Sequence, residues 1–142
     1  MTSDFLLVNL RAVGVFMAAL VVFNLFVPRQ LNWRDDLRRI SLVNRQIFEV
    51  HAIFLVLILA MFAVLLLTSS EALLQPSRLS RVVLGGLTIF WGLRMLAQWF
   101  YYSPAIWRGD RMRTAVHLGF SAAWIYVTSV FAAAFGWVTV LR

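Results

Sequence analysis

Four apolar runs, each near the length needed to cross a bilayer, constrain this chain more than any other feature. They cover about residues 5–27, 47–68, 82–102 and 115–140. Roughly 20 apolar residues in a helix match a hydrocarbon core about 30 Å thick. Inside that core the backbone has no water to bond, so each run is expected to be helical. The three prolines, Pro28, Pro76 and Pro104, fall between the runs, where a helix ends without losing a needed hydrogen bond. The connections around 69–81 and 103–114 are short, which favours antiparallel sequential neighbours. The expected fold is therefore an all-α membrane protein: four transmembrane helices in an up-down bundle, forming one domain over residues 1–142.

Composition agrees with a membrane solvent. The chain is 62% hydrophobic and 13% charged, with a mean hydropathy of +0.83. Soluble domains are about 45–50% apolar and about 25% charged. The first run is preceded by Asp4 instead of a basic cluster, and no clear small-x-small cleavage site follows it before Pro28. It reads as a retained span and not as a signal peptide.

The first connection, about 30–46, is of another kind. Trp33, Leu37 and Ile40 share one helical stripe, Arg34, Arg38 and Arg45 point elsewhere, and Asp35 can pair with Arg39 at i,i+4. This pattern predicts an amphipathic helix lying on the headgroups. The competing reading is a continuous extension of the second span into water. Small-xxx-small pairs at Gly14/Ala18, Thr88/Gly92, Gly119/Ala123 and Ala132/Gly136 predict close helix packing.

The net charge of +7 does not indicate nucleic acid, because the basic residues collect in the connections. All 13 are arginine, which fits mutational bias in a GC-rich bacterial genome. Arg29, Arg34, Arg38, Arg39, Arg45, Arg108, Arg111 and Arg113 flank one membrane face. Arg11, Arg78, Arg81 and Arg142 flank the other. The positive-inside rule then puts the first and third connections in the cytoplasm and both termini outside, in a bacterial inner membrane.

Function must be sought in polar groups inside the spans, where they are costly. Glu49 and His51 begin the second span. Arg94 and Gln98 lie one turn apart on the third. His117, Ser121, Trp124 and Thr128 run down the fourth. Arg94 is placed about 12 Å from the cytoplasmic end, at 1.5 Å per residue. Glu49, His51, Arg94, Gln98 and His117 are thus candidates for a polar pocket in the cytoplasmic leaflet, suited to an anionic headgroup or a partner's carboxylate. The two histidines enter from the same side at similar depth. In a square bundle their helices would be diagonal, roughly 11–14 Å apart, which suits a b-type haem with His51 and His117 as axial ligands.

Other chemistries lack their residues. Without cysteine there is no disulfide, thiolate metal site or thiol nucleophile. No glycine-rich phosphate loop, H-E-x-x-H motif, carboxylate-rich di-iron set or nucleophile elbow is present. The leading expectation is a non-catalytic protein with no cofactor. It would bind a lipid-like ligand or serve as a subunit contacting other membrane proteins or itself. The alternative is a haem redox protein or a lipid-modifying enzyme using His51, His117, Arg94 and Glu49. A channel or transporter is less favoured, because the spans of one protomer are too apolar to line a pore.

Overall fold

A computed structural model describes residues 2–140, and the described residues are helical with no strand. Four helices are long and apolar enough to cross a membrane: α1, Ser3–Gln30; α3, Leu42–Leu73; α4, Arg78–Phe100; and α5, Arg111–Val140. A short helix, α2, covers Trp33–Leu37, and a single 3₁₀ turn covers Pro104–Ile106. Arg142 lies outside the described residues.

Each long helix buries one stripe, spaced in alternating steps of three and four in α1 and α3 and less regularly in α4 and α5. In α1 it is Leu6, Leu10, Val13, Met17 and Leu20, and in α3 it is Leu59, Ala63, Leu66, Ser70 and Leu73. In α4 it is Ser80, Leu84, Leu87, Trp91 and Gln98, and in α5 Ser121, Trp124, Val127, Phe131, Ala134 and Val138. The remaining faces carry exposed Val, Leu, Ile and Phe, the surface that lipid tails would cover. Several polar side chains within the spans bond to their own helix, while the buried Trp91 and Trp124 Nε1 and Thr128 Oγ1 atoms have no hydrogen-bond partner among the described residues. Thr68, Thr88, Ser121 and Thr139 donate to the carbonyl four residues earlier, at 2.7–2.8 Å, and the amides of Asn9 and Asn24 do the same.

The chain divides into two compact units. One combines the residues up to Asn9 with those from Glu71 onward, and the other spans Leu10–Ser70. Within the second unit α1 approaches α3 closely at Gly14. A Cβ there would stand 3.0 Å from Leu66 Cβ and 3.1 Å from Leu67 Cγ. Gly14→Val is therefore expected to destabilise this helix pair by about 1–3 kcal/mol, the cost of overpacking. A denaturation curve in mixed detergent measures it. Gly86→Ala is the control, since a Cβ there meets nothing within 4 Å. A wild-type curve for Gly14→Val would mean that the two helices lie further apart. Within the first unit α4 and α5 are antiparallel partners. Gly92 faces the Thr128 methyl and Gly85 the Phe135 ring. Of the other paired small residues, a Cβ at Gly119 or Gly136 would meet nothing within 4 Å.

The helices run a few residues past most of the expected span ends, and the first connection differs most. Pro28 lies inside α1, not beyond it. It sits in the last turn, so the missing N–H removes only one terminal bond, and Leu31 N–H still reaches the Val27 carbonyl at 3.0 Å. The helix ends instead at Gln30, and two residues on Asn32, the cap of α2, takes a left-handed φ of 50°, a conformation asparagine tolerates. The predicted helix over 30–46 is broken: five residues form α2, residues 38–41 leave the helix, and α3 begins at Leu42. Arg45 therefore belongs to α3, as the competing reading held for that part of the segment. Asp35 lies 3.9 Å from Arg38, at i,i+3, and does not pair with Arg39. Trp33 packs edge-on against Phe48 of α3, with centroids 4.9 Å apart. The stripe is thus anchored at one end by protein, while Ile40 stays exposed.

Candidate functional site

The polar groups that converge lie on α4, α5 and the connection between them. That connection is tightly folded. Pro104 opens a 3₁₀ turn, Ser103 accepts from the Ala105 N–H at 3.3 Å, and Gly109 takes a φ of 90° that a side chain would resist. Asp110 then caps α5, accepting from the N–H groups of Met112 and Arg113 at 2.9 and 3.1 Å. The Thr114 hydroxyl lies 2.8 Å from the carbonyls of both Trp107 and Asp110, which ties the turn to the first residues of the helix. Trp107 is thereby laid flat on His117: ring centroids are 3.9 Å apart and the planes differ by 10°.

Across the helix pair, Gln98 bridges Arg94 and His117. Arg94 Nη1 donates to Gln98 Oε1 at 3.3 Å, and Gln98 Nε2 lies 2.9 Å from His117 Nδ1. The amide orientation follows from chemistry. A guanidinium can only donate, so the oxygen must face Arg94 and the NH2 group must face the imidazole. His117 Nδ1 is then an acceptor, and the neutral ring carries its proton on Nε2. Gln98 is only 6% exposed, so water does not readily replace either bond.

The guanidinium is also covered by aromatic faces. Arg94 Cζ lies 4.9 Å from the Trp124 ring centroid and 5.9 Å from that of Tyr102. Trp124 stacks in turn on Trp91 at 5.1 Å and on Phe120 at 5.9 Å. Within this unit Arg94 has no carboxylate partner among the described residues. Its contacts are a neutral amide and two π faces. Arg94 lies six residues before the end of α4 at Phe100, about 9 Å along the axis and shallower than the sequence boundary implied.

Glu49 and His51 belong to the other compact unit, where both are exposed on α3. His51 Nδ1 donates to the Ile47 carbonyl at 2.7 Å, leaving Nε2 with its lone pair. The two histidines therefore hold opposite tautomers. That difference bears on haem. His51 has the backbone bond typical of a ligating imidazole. His117 presents N–H at Nε2, and ligation there would require the Gln98 amide to turn over. Among the described residues no three His, Cys, Asp or Glu side chains group as a metal site.

Periodicity alone places Arg94 and Gln98 on one face of α4. It does not disclose the parts played by Trp107 and Tyr102. The signal that could have exposed Trp107 was its place between Pro104 and Gly109, in a turn too tight to hold an indole far from the start of α5.

Fold and site together define a class: an all-helical chain with four helices suited to a membrane, carrying a cation embedded among aromatic side chains and linked to a histidine. Compared with family models, with curated proteins and with solved structures, the chain matches none.

Proposed function

We propose that this chain is a non-catalytic four-span membrane protein that holds the oxyanion headgroup of a lipid-like ligand at Arg94. In this reading the helices form an up-down bundle in a bacterial inner membrane. Both termini are extracytoplasmic, and the Arg94 cluster opens to the cytoplasmic leaflet. The observation that carries the proposal is the charge left uncompensated at Arg94. A cation at the bilayer centre costs about 2.5–3.5 kcal/mol on insertion scales, and Arg94, about 9 Å inside the end of α4, bears part of that cost. Its aromatic contacts return about 0.5–2 kcal/mol each, and the long amide bond adds little. An anion would form charge-assisted bonds to the donors that remain, which are stronger than any contact the site makes by itself.

Glu49, His51 and the arginines of the first connection would meet the same leaflet. Arg34, Arg38 and Arg39 would lie toward phosphates, with Trp33 seated at the interface. The protein extracted in mild detergent should retain phosphatidylglycerol in preference to phosphatidylcholine, as read by native mass spectrometry. Retention of a membrane-protein partner instead, lost on changing Arg94, would assign the same cation to a partner's carboxylate and make the chain a subunit. Retention of neither would sink the proposal.

Two further outcomes are expected. A reporter fused after Arg142 should be active only in its extracytoplasmic form, because eight arginines flank one face and four the other. Activity of the cytoplasmic form would reverse the orientation and move the Arg94 cluster to the outer leaflet. Protein purified from haem-replete cells should show no Soret band. A reducible Soret and α-band spectrum, lost in both His51→Ala and His117→Ala, would replace this reading with a bis-histidine haem protein.

A further inference from the structure

We infer that the Arg94 site takes up a proton on His117 when it takes up its anion, with Gln98 as the element that couples the two. The inference rests on the oxyanion reading above and concerns how that site is regulated. Its basis is the direction of the relay. Arg94 donates to Gln98 Oε1, and Gln98 Nε2 donates to His117 Nδ1. Every hydrogen in that chain points toward His117, so the chain can exist only while Nδ1 is unprotonated.

Protonation from solvent puts a donor on Nδ1. The buried Gln98 amide must then turn so that Oε1 receives the new N–H. The NH2 group now faces the Arg94 guanidinium, and two donors oppose each other. An oxyanion between them accepts from both and removes the conflict. It also lies against a second positive charge at His117. The protonated, turned state is therefore the one that binds an anion well, and the neutral state is the one whose internal bonds are complete without it. By linkage, each event favours the other to the same extent.

Among the described residues of this unit, no charged side chain bonds to the His117 ring. From α4 the facing charge is Arg94, reached through Gln98. From the α4–α5 connection it is the neutral indole of Trp107. On α5 the nearest charged side chain is Arg113, one turn earlier and paired with Asp110 at 3.2 Å. Ser121 donates to the His117 carbonyl and not to the ring. The sign follows: anion affinity is highest where His117 is protonated and falls as pH rises.

The test uses the full chain in a maltoside detergent with His51→Gln, which leaves His117 as the sole histidine. Short-chain phosphatidylglycerol is the probe, because its phosphodiester keeps one negative charge over the histidine range of about pH 5 to 8. Binding should be tighter at the acid end by about fivefold or more. Imidazole ¹⁵N spectra should show the Nε2–H tautomer without lipid. At an intermediate pH, added lipid should convert His117 to the doubly protonated form. Gln98→Leu should keep some Arg94-dependent binding and lose its pH dependence; if that variant does not fold, the wild-type spectra decide. Dimethyl phosphate, the same oxyanion without acyl chains, separates the sources. An equal pH slope with it identifies the headgroup oxyanion as sufficient, and a slope with the lipid alone identifies a lipid site.

Binding that depends on Arg94 but is flat with pH, or a His117 that carries its proton on Nδ1, overturns the coupling and leaves the oxyanion reading standing. Absence of Arg94-dependent binding at every pH overturns the oxyanion reading itself.

Discussion

Arg94→Leu should weaken retention of phosphatidylglycerol by about tenfold to a hundredfold, the range for losing one charge-assisted hydrogen-bond partner worth about 1.5–3 kcal/mol. Membrane insertion should be unchanged or improved, because the substitution removes a cation whose burial is costly and supplies a residue that favours the bilayer. This opposition of effects separates a binding role from a folding role. A structural arginine would be expected to lower both expression and stability when replaced. Arg94→Lys sharpens the distinction. An ammonium keeps the charge, but it lacks the planar fork that sits between the Trp124 face and Gln98. Partial retention of lipid is expected from it. Native mass spectrometry on the wild type and both variants, paired with a membrane-fraction blot, checks both quantities. Unchanged lipid retention in Arg94→Leu would show that the guanidinium carries no specific function.

Trp124→Ala should cost the α4–α5 pair about 3–5 kcal/mol, the usual range for deleting a buried indole. Trp124 is 4% exposed, stacks on Trp91 and Phe120, and supplies the closer of the two aromatic faces over Arg94. Its removal leaves a void next to the guanidinium and a stack with no centre. Unfolding in mixed detergent should shift strongly toward lower denaturant, and lipid retention should fall with it. Trp124→Phe should recover most of the stability, since a smaller ring still fills the stack. Its lipid retention should remain below wild type, because the cation–π contact is weaker with Phe than with Trp. If Trp124→Ala unfolds like the wild type, the aromatic stack is not what holds α4 to α5.

How much of this was legible beforehand follows from the range of each interaction. The four spans were, because their apolar runs exceed any other signal in the chain and the bilayer length requirement leaves no alternative element. The shared face of Arg94 and Gln98 was too, since four residues make about one turn of any α-helix. Pro28 falls between apolar runs yet does not stop α1. A proline in the last turn removes one terminal bond only, and the chain continued to Gln30. The helix over 30–46 was overextended for a related reason. An amphipathic stripe reports which face each residue would show if helical. It does not report whether Asn32 in a left-handed conformation and the break at residues 38–41 interrupt the helix.

The sequence by itself determined the all-helical class, the number of helices fit for a membrane and the presence of Arg94 within an apolar span. These are properties of single segments, settled by hydropathy and by the backbone's need to bond to itself. Tertiary structure alone decided that Gln98 faces His117 across 19 residues of chain and that Trp107 lies flat on the imidazole. It also decided that Trp124 and Tyr102 cover the guanidinium. Each of those contacts joins two elements, and its existence depends on the register of α4 against α5 and the shape of the turn between them. The tautomer of His117 is the furthest removed from sequence. It depends on which end of one buried amide faces the ring, and Arg94 settles that from the other side.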